Sequence, residues 1–152
     1  MYRESLAQGI ERMGRLADTI GKLGRLPRLV AEIAQPGIQR ELDKEFLEGR
    51  DPYGEPWAPL EPATVARGRH PPPLYHSGHL HRSTRAELLT GAKAGLWLTI
   101  RPAQYGYFHQ VGTRHMPKRE ILPTRGIPGR WYRGVLVEAS KRAFKSVWER
   151  VR

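Results

Sequence analysis

The sequence predicts an α+β fold with N-terminal helices, a small antiparallel β-sheet built on a hairpin, and a C-terminal helix. Three observations carry that expectation. Apolar residues recur at steps of three and four near both ends of the chain, which places them on one face of a helix. Between those ends, Leu96, Leu98 and Ile100 alternate with Trp97, Thr99 and Arg101, the period of a half-buried strand. The length of 152 residues suits a single core, with 1–49 as a helical segment and 50–152 as the α+β part of one domain.

The first helix carries a stripe of Leu6, Ile10, Met13, Leu16, Ile20 and Leu23. Gly9, Gly14, Gly21 and Gly24 weaken it, each by up to about 1 kcal/mol relative to alanine, so the helix is expected to need a partner surface. Pro27 opens a second piece with Leu29, Val30 and Ile33 as its apolar positions. Pro36 then either interrupts the helix or begins a new one as a first-turn proline. From Ile38, the positions Leu42, Phe46 and Leu47 continue a stripe that stops at Gly49, a residue suited to a helix C-terminus.

Residues 50–76 hold seven of the thirteen prolines, the mark of an ordered loop or a linker. Trp57, Leu60 and Tyr75 favour a loop anchored to the fold, and Thr64–Arg67 fits one helical turn. Ser77 stands where it can cap a short helix. A hairpin is expected to follow, with arms Arg85–Leu89 and Leu96–Arg101, a turn over Thr90–Gly95, and Pro102 as its end. Periodicity leaves Tyr105–Val111 open between helix and strand. Residues 112–131 form a loop rich in glycine, proline and arginine. The last helix places Leu136, Ser140, Phe144, Val147, Trp148 and Val151 on one face, with Lys141, Arg142, Lys145 and Glu149 mostly elsewhere.

Composition narrows the function. There is no cysteine, hence no disulfide framework and no thiolate metal site, which fits a reducing cytosol. No stretch is long and apolar enough for a membrane span, and the first fifteen residues lack the apolar core of a signal peptide. The net charge of +11 is uneven: residues 1–76 balance 11 Lys/Arg with 11 Asp/Glu, while 77–152 set 15 Lys/Arg against Glu87, Glu120, Glu138 and Glu149. Arg114, Lys118, Arg119, Arg125, Arg130 and Arg133 make the densest part, beside Trp131 and Tyr132. An anionic partner follows, either nucleic acid or an acidic protein surface. No helix-turn-helix, zinc-finger or RNA-recognition motif accompanies the arginines. They fit better a loop that pairs with carboxylates of a neighbouring subunit, where a bidentate guanidinium is favoured.

Catalytic constellations are not found. His76, His79 and His81 are close in sequence, but no acidic residue lies between Glu61 and Glu87 to support a metal ligand set. Ser77 beside His76 and His79 lacks a carboxylate to orient an imidazole. Glu41, Glu45 and Glu48, amid Arg40 and Lys44 at helical spacing, read as a solvated face with local ion pairs. Gly106, Gly112 and Gly126 match no phosphate-binding loop. A protein that is not an enzyme, with no cofactor and no metal, is expected.

Three motifs remain, and their order is informative. Asp51, Pro52, Gly54 and Trp57 form an acidic-Pro-x-Gly-x-x-Trp pattern, followed by Leu60 and Thr64. Leu74, Ser77, Gly78, Leu80 and Ser83 form a second, and Tyr105, His109, Gln110, Gly112 and Thr113 a third. With Pro123, Arg125 and a terminal helix, the set over roughly 38–150 resembles the bacteriophage virion morphogenesis proteins, the Mu-like tail completion proteins. Gly126 and Ile127 depart from the proline and aromatic that usually continue that family's Pro-x-Arg motif. The resemblance implies an α+β structural subunit that finishes the tail or joins it to the head at the neck. It also implies copies in a ring, neighbouring tail or neck proteins as partners, nearby packaged DNA, and location in the virion after assembly in the host cytoplasm. A basic, non-specific nucleic-acid-binding module of a mobile element is the alternative.

Overall fold

The computed structural model describes residues 6–89, 95–100, 105–126 and 129–149. Helix α1 (Leu6–Gly24) runs into α2 (Leu26–Glu48) through the single residue Arg25, whose helical φ and ψ of −87° and −9° carry the backbone on. Two short helices follow, α3 (Pro62–Ala66) and α4 (His79–Ser83), then strands β1 (Thr84–Leu89) and β2 (Gly95–Ile100). Helix α5 (Tyr105–Val111) and the long α6 (Arg130–Glu149) complete the order. Tyr105–Val111 is thus a helix. The turn expected over Thr90–Gly95 lies outside the described residues except for Gly95, as do Arg101, Pro102 and Val151.

The protein is mostly helical, which corrects the expected sheet. Among the described residues the β component is the hairpin alone, an antiparallel ladder running from Thr84↔Ile100 to Leu89↔Gly95. A helix occupies the edge of β1 where a further strand would pair. Gln35 Nε2 donates to the Ala86 carbonyl at 2.9 Å, and the Ala86 N–H donates to Gln39 Oε1 at 2.9 Å. Two amides one turn apart on α2 therefore satisfy a strand edge that would otherwise seek a β partner.

Helix α2 crosses α6 at close range. Gly37 makes this possible, because a Cβ there would stand 2.6 Å from Val135 Cγ1. Ala34, Ile38, Leu42, Ala86, Tyr132 and Ala139 form the buried cluster around the crossing. Pro36 lies inside α2 without ending it. The hydrogen bond it removes would go to the Glu32 carbonyl, and both residues are exposed, so water can take its place. Gly49 ends the helix in the left-handed region at φ +67°, with the Gly49 and Arg50 N–H groups both donating to the Glu45 carbonyl. Leu47 faces solvent.

Two sequence expectations are overturned in this core. Of the expected α6 face, Val147 is buried and Leu136 packs against the core, but Phe144 and Trp148 are each 54% exposed, and Tyr132, Ala139 and Ala143 are buried instead. Tyr132 is the one α6 aromatic ring in the buried cluster, where Ala139 joins it at the crossing. Glu41 and Glu45 do not belong to a solvated face either; both are buried. The Tyr132 hydroxyl donates to Glu45 Oε1, while Glu45 Oε2 has no hydrogen-bond partner. Burial pushes the Glu45 pKa up to about 8, against the opposing pull of the Tyr132 bond and Arg50. Arg50, also buried, bonds Glu48 and stands 3.5 Å from Glu41 Oε2. Burial lowers its pKa, but the carboxylates around it outweigh that and raise it overall.

The folded state holds the Glu45 proton up to about pH 8, whereas an exposed carboxyl releases it near 4.5. The stability this contributes is complete below that lower value and lost as pH rises through the upper one, by up to about 1.4 kcal/mol per pH unit. Glu45→Gln keeps an acceptor for Tyr132 and removes the titration. Urea unfolding across this window should show the wild-type chain losing stability relative to Glu45→Gln as pH rises; parallel profiles would contradict the assignment.

Candidate functional site

The three sequence motifs converge around the C-terminal end of α2. In the first, Asp51 Oδ1 accepts the N–H groups of Tyr53 at 2.8 Å and Glu55 at 2.9 Å, so its carboxylate closes the turn from inside. Pro52 is fully buried. Gly54 takes φ +95° beneath the Trp131 ring, where a Cβ would be 2.9 Å from its carbons. Trp57 packs edge-on to Phe46 at 5.5 Å and donates Nε1–H to the Glu120 carbonyl at 2.8 Å.

The second motif turns the chain into the hairpin. Gly78 adopts φ +65° ahead of α4, and Ser77 Oγ accepts the His79 N–H at 3.3 Å. Leu80 is buried, and its carbonyl accepts the hydroxyls of Ser83 and Thr84, each at 2.9 Å.

The third motif is a clamp. Gln110 Oε1 accepts the N–H groups of Ile121 and Leu122 at 2.8 and 2.9 Å, and Gln110 Nε2 donates to the Leu122 carbonyl at 2.7 Å. The His109 carbonyl accepts the Arg119 N–H at 2.8 Å. Gly112, at φ +77°, turns the chain after α5, and Thr113 bridges to Met116. Burial lowers the His109 pKa, and the nearby Arg119 adds to that. Tyr105 accepts or donates a 2.9 Å hydrogen bond with His79 Nδ1, which ties the third motif to the second.

Between the 60–80 segment and α5 with its following turn lies a cleft of about 630 Å³. Its lining includes His70, His76, His109 and His115 together with Arg69, Glu61 and Arg119 over an apolar floor of Leu60, Leu74 and Leu80. Among the described residues, no three His, Asp or Glu side chains are placed to hold a metal ion. His81 instead pairs with Asp43 Oδ1 at 2.8 Å.

The predicted cationic patch is divided. Arg119 is buried and donates from Nε and Nη2 to the carbonyls of Ala58 and Pro59, both at 2.8 Å. Burial lowers its pKa, with Glu61 opposing. Lys118 pairs with Glu120 at 2.9 Å, and Arg125 lies over the Tyr53 ring at 4.4 Å, within 4 Å of Asp51 and Glu120. The buried Glu120 carboxylate has its pKa raised by burial, but the bonds from Thr124 and Lys118 prevail and hold it low. Arg114 and Arg133 are exposed, and the Arg130 side chain lies outside the described residues.

Sequence reasoning missed Gln35, Gln39, the Glu45–Tyr132 pair and the outward face of α6. A signal was available for the last: Tyr132, Leu136, Ala139, Ala143 and Val147 also recur at helical spacing.

Turns closed by side chains, a glycine under an aromatic ring and a glutamine clamp hold the loops of this region in fixed positions. The chain belongs to the phage virion morphogenesis family, whose profile matches residues 7–152. No curated protein and no solved structure matches it.

Gln110→Ala would leave two N–H groups and a carbonyl in the clamp unmatched, at a cost of about 2–4 kcal/mol. The check is the urea midpoint together with amide exchange at Ile121 and Leu122. A midpoint and exchange unchanged from wild type would contradict the clamp.

Proposed function

We propose that this chain is a non-enzymatic structural subunit that completes the phage tail or joins it to the head, at the neck or the head-proximal end of the tail. The observation that carries the proposal is the family match over nearly the whole chain, with the three motifs inside it acting as scaffold. Copies of the chain form a ring, and neighbouring tail or neck proteins dock on it. A ring subunit must offer different surfaces to its two neighbours. Exposed Arg114 and Arg133 suit acidic partner surfaces or the backbone of DNA passing nearby, without base readout. The chain would be made in the host cytoplasm and retained in the virion. No helix among the described residues is long and apolar enough to cross a membrane. The patch left for the nucleic-acid-binding alternative is reduced, because Arg119 is buried and Lys118 and Arg125 face carboxylates.

Negative-stain microscopy of particles made without this gene should reveal heads and tails that fail to join, restored by supplying the chain in trans. Normal, joined virions in its absence would overturn the proposal.

A further inference from the structure

The structure leaves two helical apolar faces uncovered. On α1, Ile10, Met13, Leu16, Ile20 and Leu23 are 42–65% exposed along a helix of 19 residues, about 28 Å at 1.5 Å per residue. On α6, Val137, Phe144 and Trp148 are 48–54% exposed, with Phe144 and Trp148 stacked 6.2 Å apart at 13°. Neither face is used by the core, which takes other residues of both α2 and α6.

The glycines of α1 supply the discriminating detail. A Cβ at Gly14, Gly21 or Gly24 would meet nothing within 4 Å, so the fold of the single chain does not require them. Each nevertheless costs helix stability of about 1 kcal/mol relative to alanine. On the helical wheel Gly14, Ala17, Gly21 and Gly24 form a lane of small residues beside the large ones. The core already contains such a device: Gly37 on α2 admits Val135 of α6.

We infer that α1 of one copy docks on the outward face of α6 of a second copy, the small lane receiving the Phe144–Trp148 ridge. The inference rests on the proposed role as a repeating subunit and names the surfaces through which it repeats. Both stripes run about 17–20 Å along their helices, whereas α5, with Tyr107 and Phe108 exposed, has only seven residues. The two faces together expose on the order of 1,000 Å² of apolar surface, the scale a specific interface needs. Pairing α6 with α6 would leave the α1 stripe uncovered, and pairing α1 with α1 would leave the aromatic ridge open. An α1-to-α6 contact is heterologous, so each copy gives one face and receives the other, as a ring requires.

The chain lacks cysteine, which makes disulfide mapping direct. Purified chain carrying both Met13→Cys and Val137→Cys should oxidise to covalent oligomers joined between the two positions. Met13→Cys alone and Val137→Cys alone should not form dimers. Without cysteines, light scattering should show the mass rising from 17.4 kDa to multiples with concentration. Gly14→Leu with Gly21→Leu, which fills the lane and raises helix propensity, should weaken association at least tenfold while leaving the urea midpoint of the core unchanged. A monomer at all concentrations, linkage of Met13→Cys to itself or to Tyr107→Cys, or association undiminished by the leucines would each overturn the inference. Normal virions without the gene would remove the assembly role and leave this interface standing; a chain that never associates would do the reverse.

Discussion

The close crossing of α2 and α6 is the constraint on which the remaining structure depends. It exists because Gly37 and Ala34 meet Val135 and Ala139 without bulk between them. Three consequences follow along α2. At its middle, Gln35 and Gln39 hold the edge of β1. Nearer its end, Glu45 is enclosed and kept protonated while Tyr132 bonds it from α6. At its end, Gly49 turns the chain so that Phe46 meets Trp57 and Trp57 reaches the Glu120 carbonyl. A buried carboxyl with one unmatched oxygen is less costly neutral than charged, which is why the raised pKa accords with the packing.

The elements governed by local rules were legible from the sequence. The α1 stripe, the stop at Gly49, the strand β2 and the turn-forming glycines all follow from spacing and backbone freedom, and all four are present. Elements decided by tertiary packing were not. Pro36 reads as a break, yet an exposed carbonyl can use water. The face of α6 with Phe144 and Trp148 reads as the core, yet the crossing with α2 buries Tyr132, Ala139 and Ala143. Glu45 reads as solvated because helical spacing is silent on what covers the helix. Arg119 reads as surface for the same reason, although it holds two carbonyls of the proline-rich loop.

A division of labour emerges that suits a virion morphogenesis protein. The motifs are used inward, to fix loops around the end of α2 and to shape the cleft beside α5. Large apolar side chains are turned outward on α1, α5 and α6, where a solitary protein gains nothing from them. On the proposed assembly role, these outward faces are the ones a neighbouring copy would cover. Arg114 and Arg133 stand outside this scaffold, exposed on the surface.

Hydrogen exchange followed by mass spectrometry over a dilution series tests this division most directly. In dilute chain, the amides of α2 and α6 should be strongly protected while those of α1 exchange as a helix held by little else; on concentration or incorporation into particles, α1 should become protected too. Equal protection of α1 and α2 at every dilution, or exchange in α2 and α6 as fast as in α1, would contradict the account.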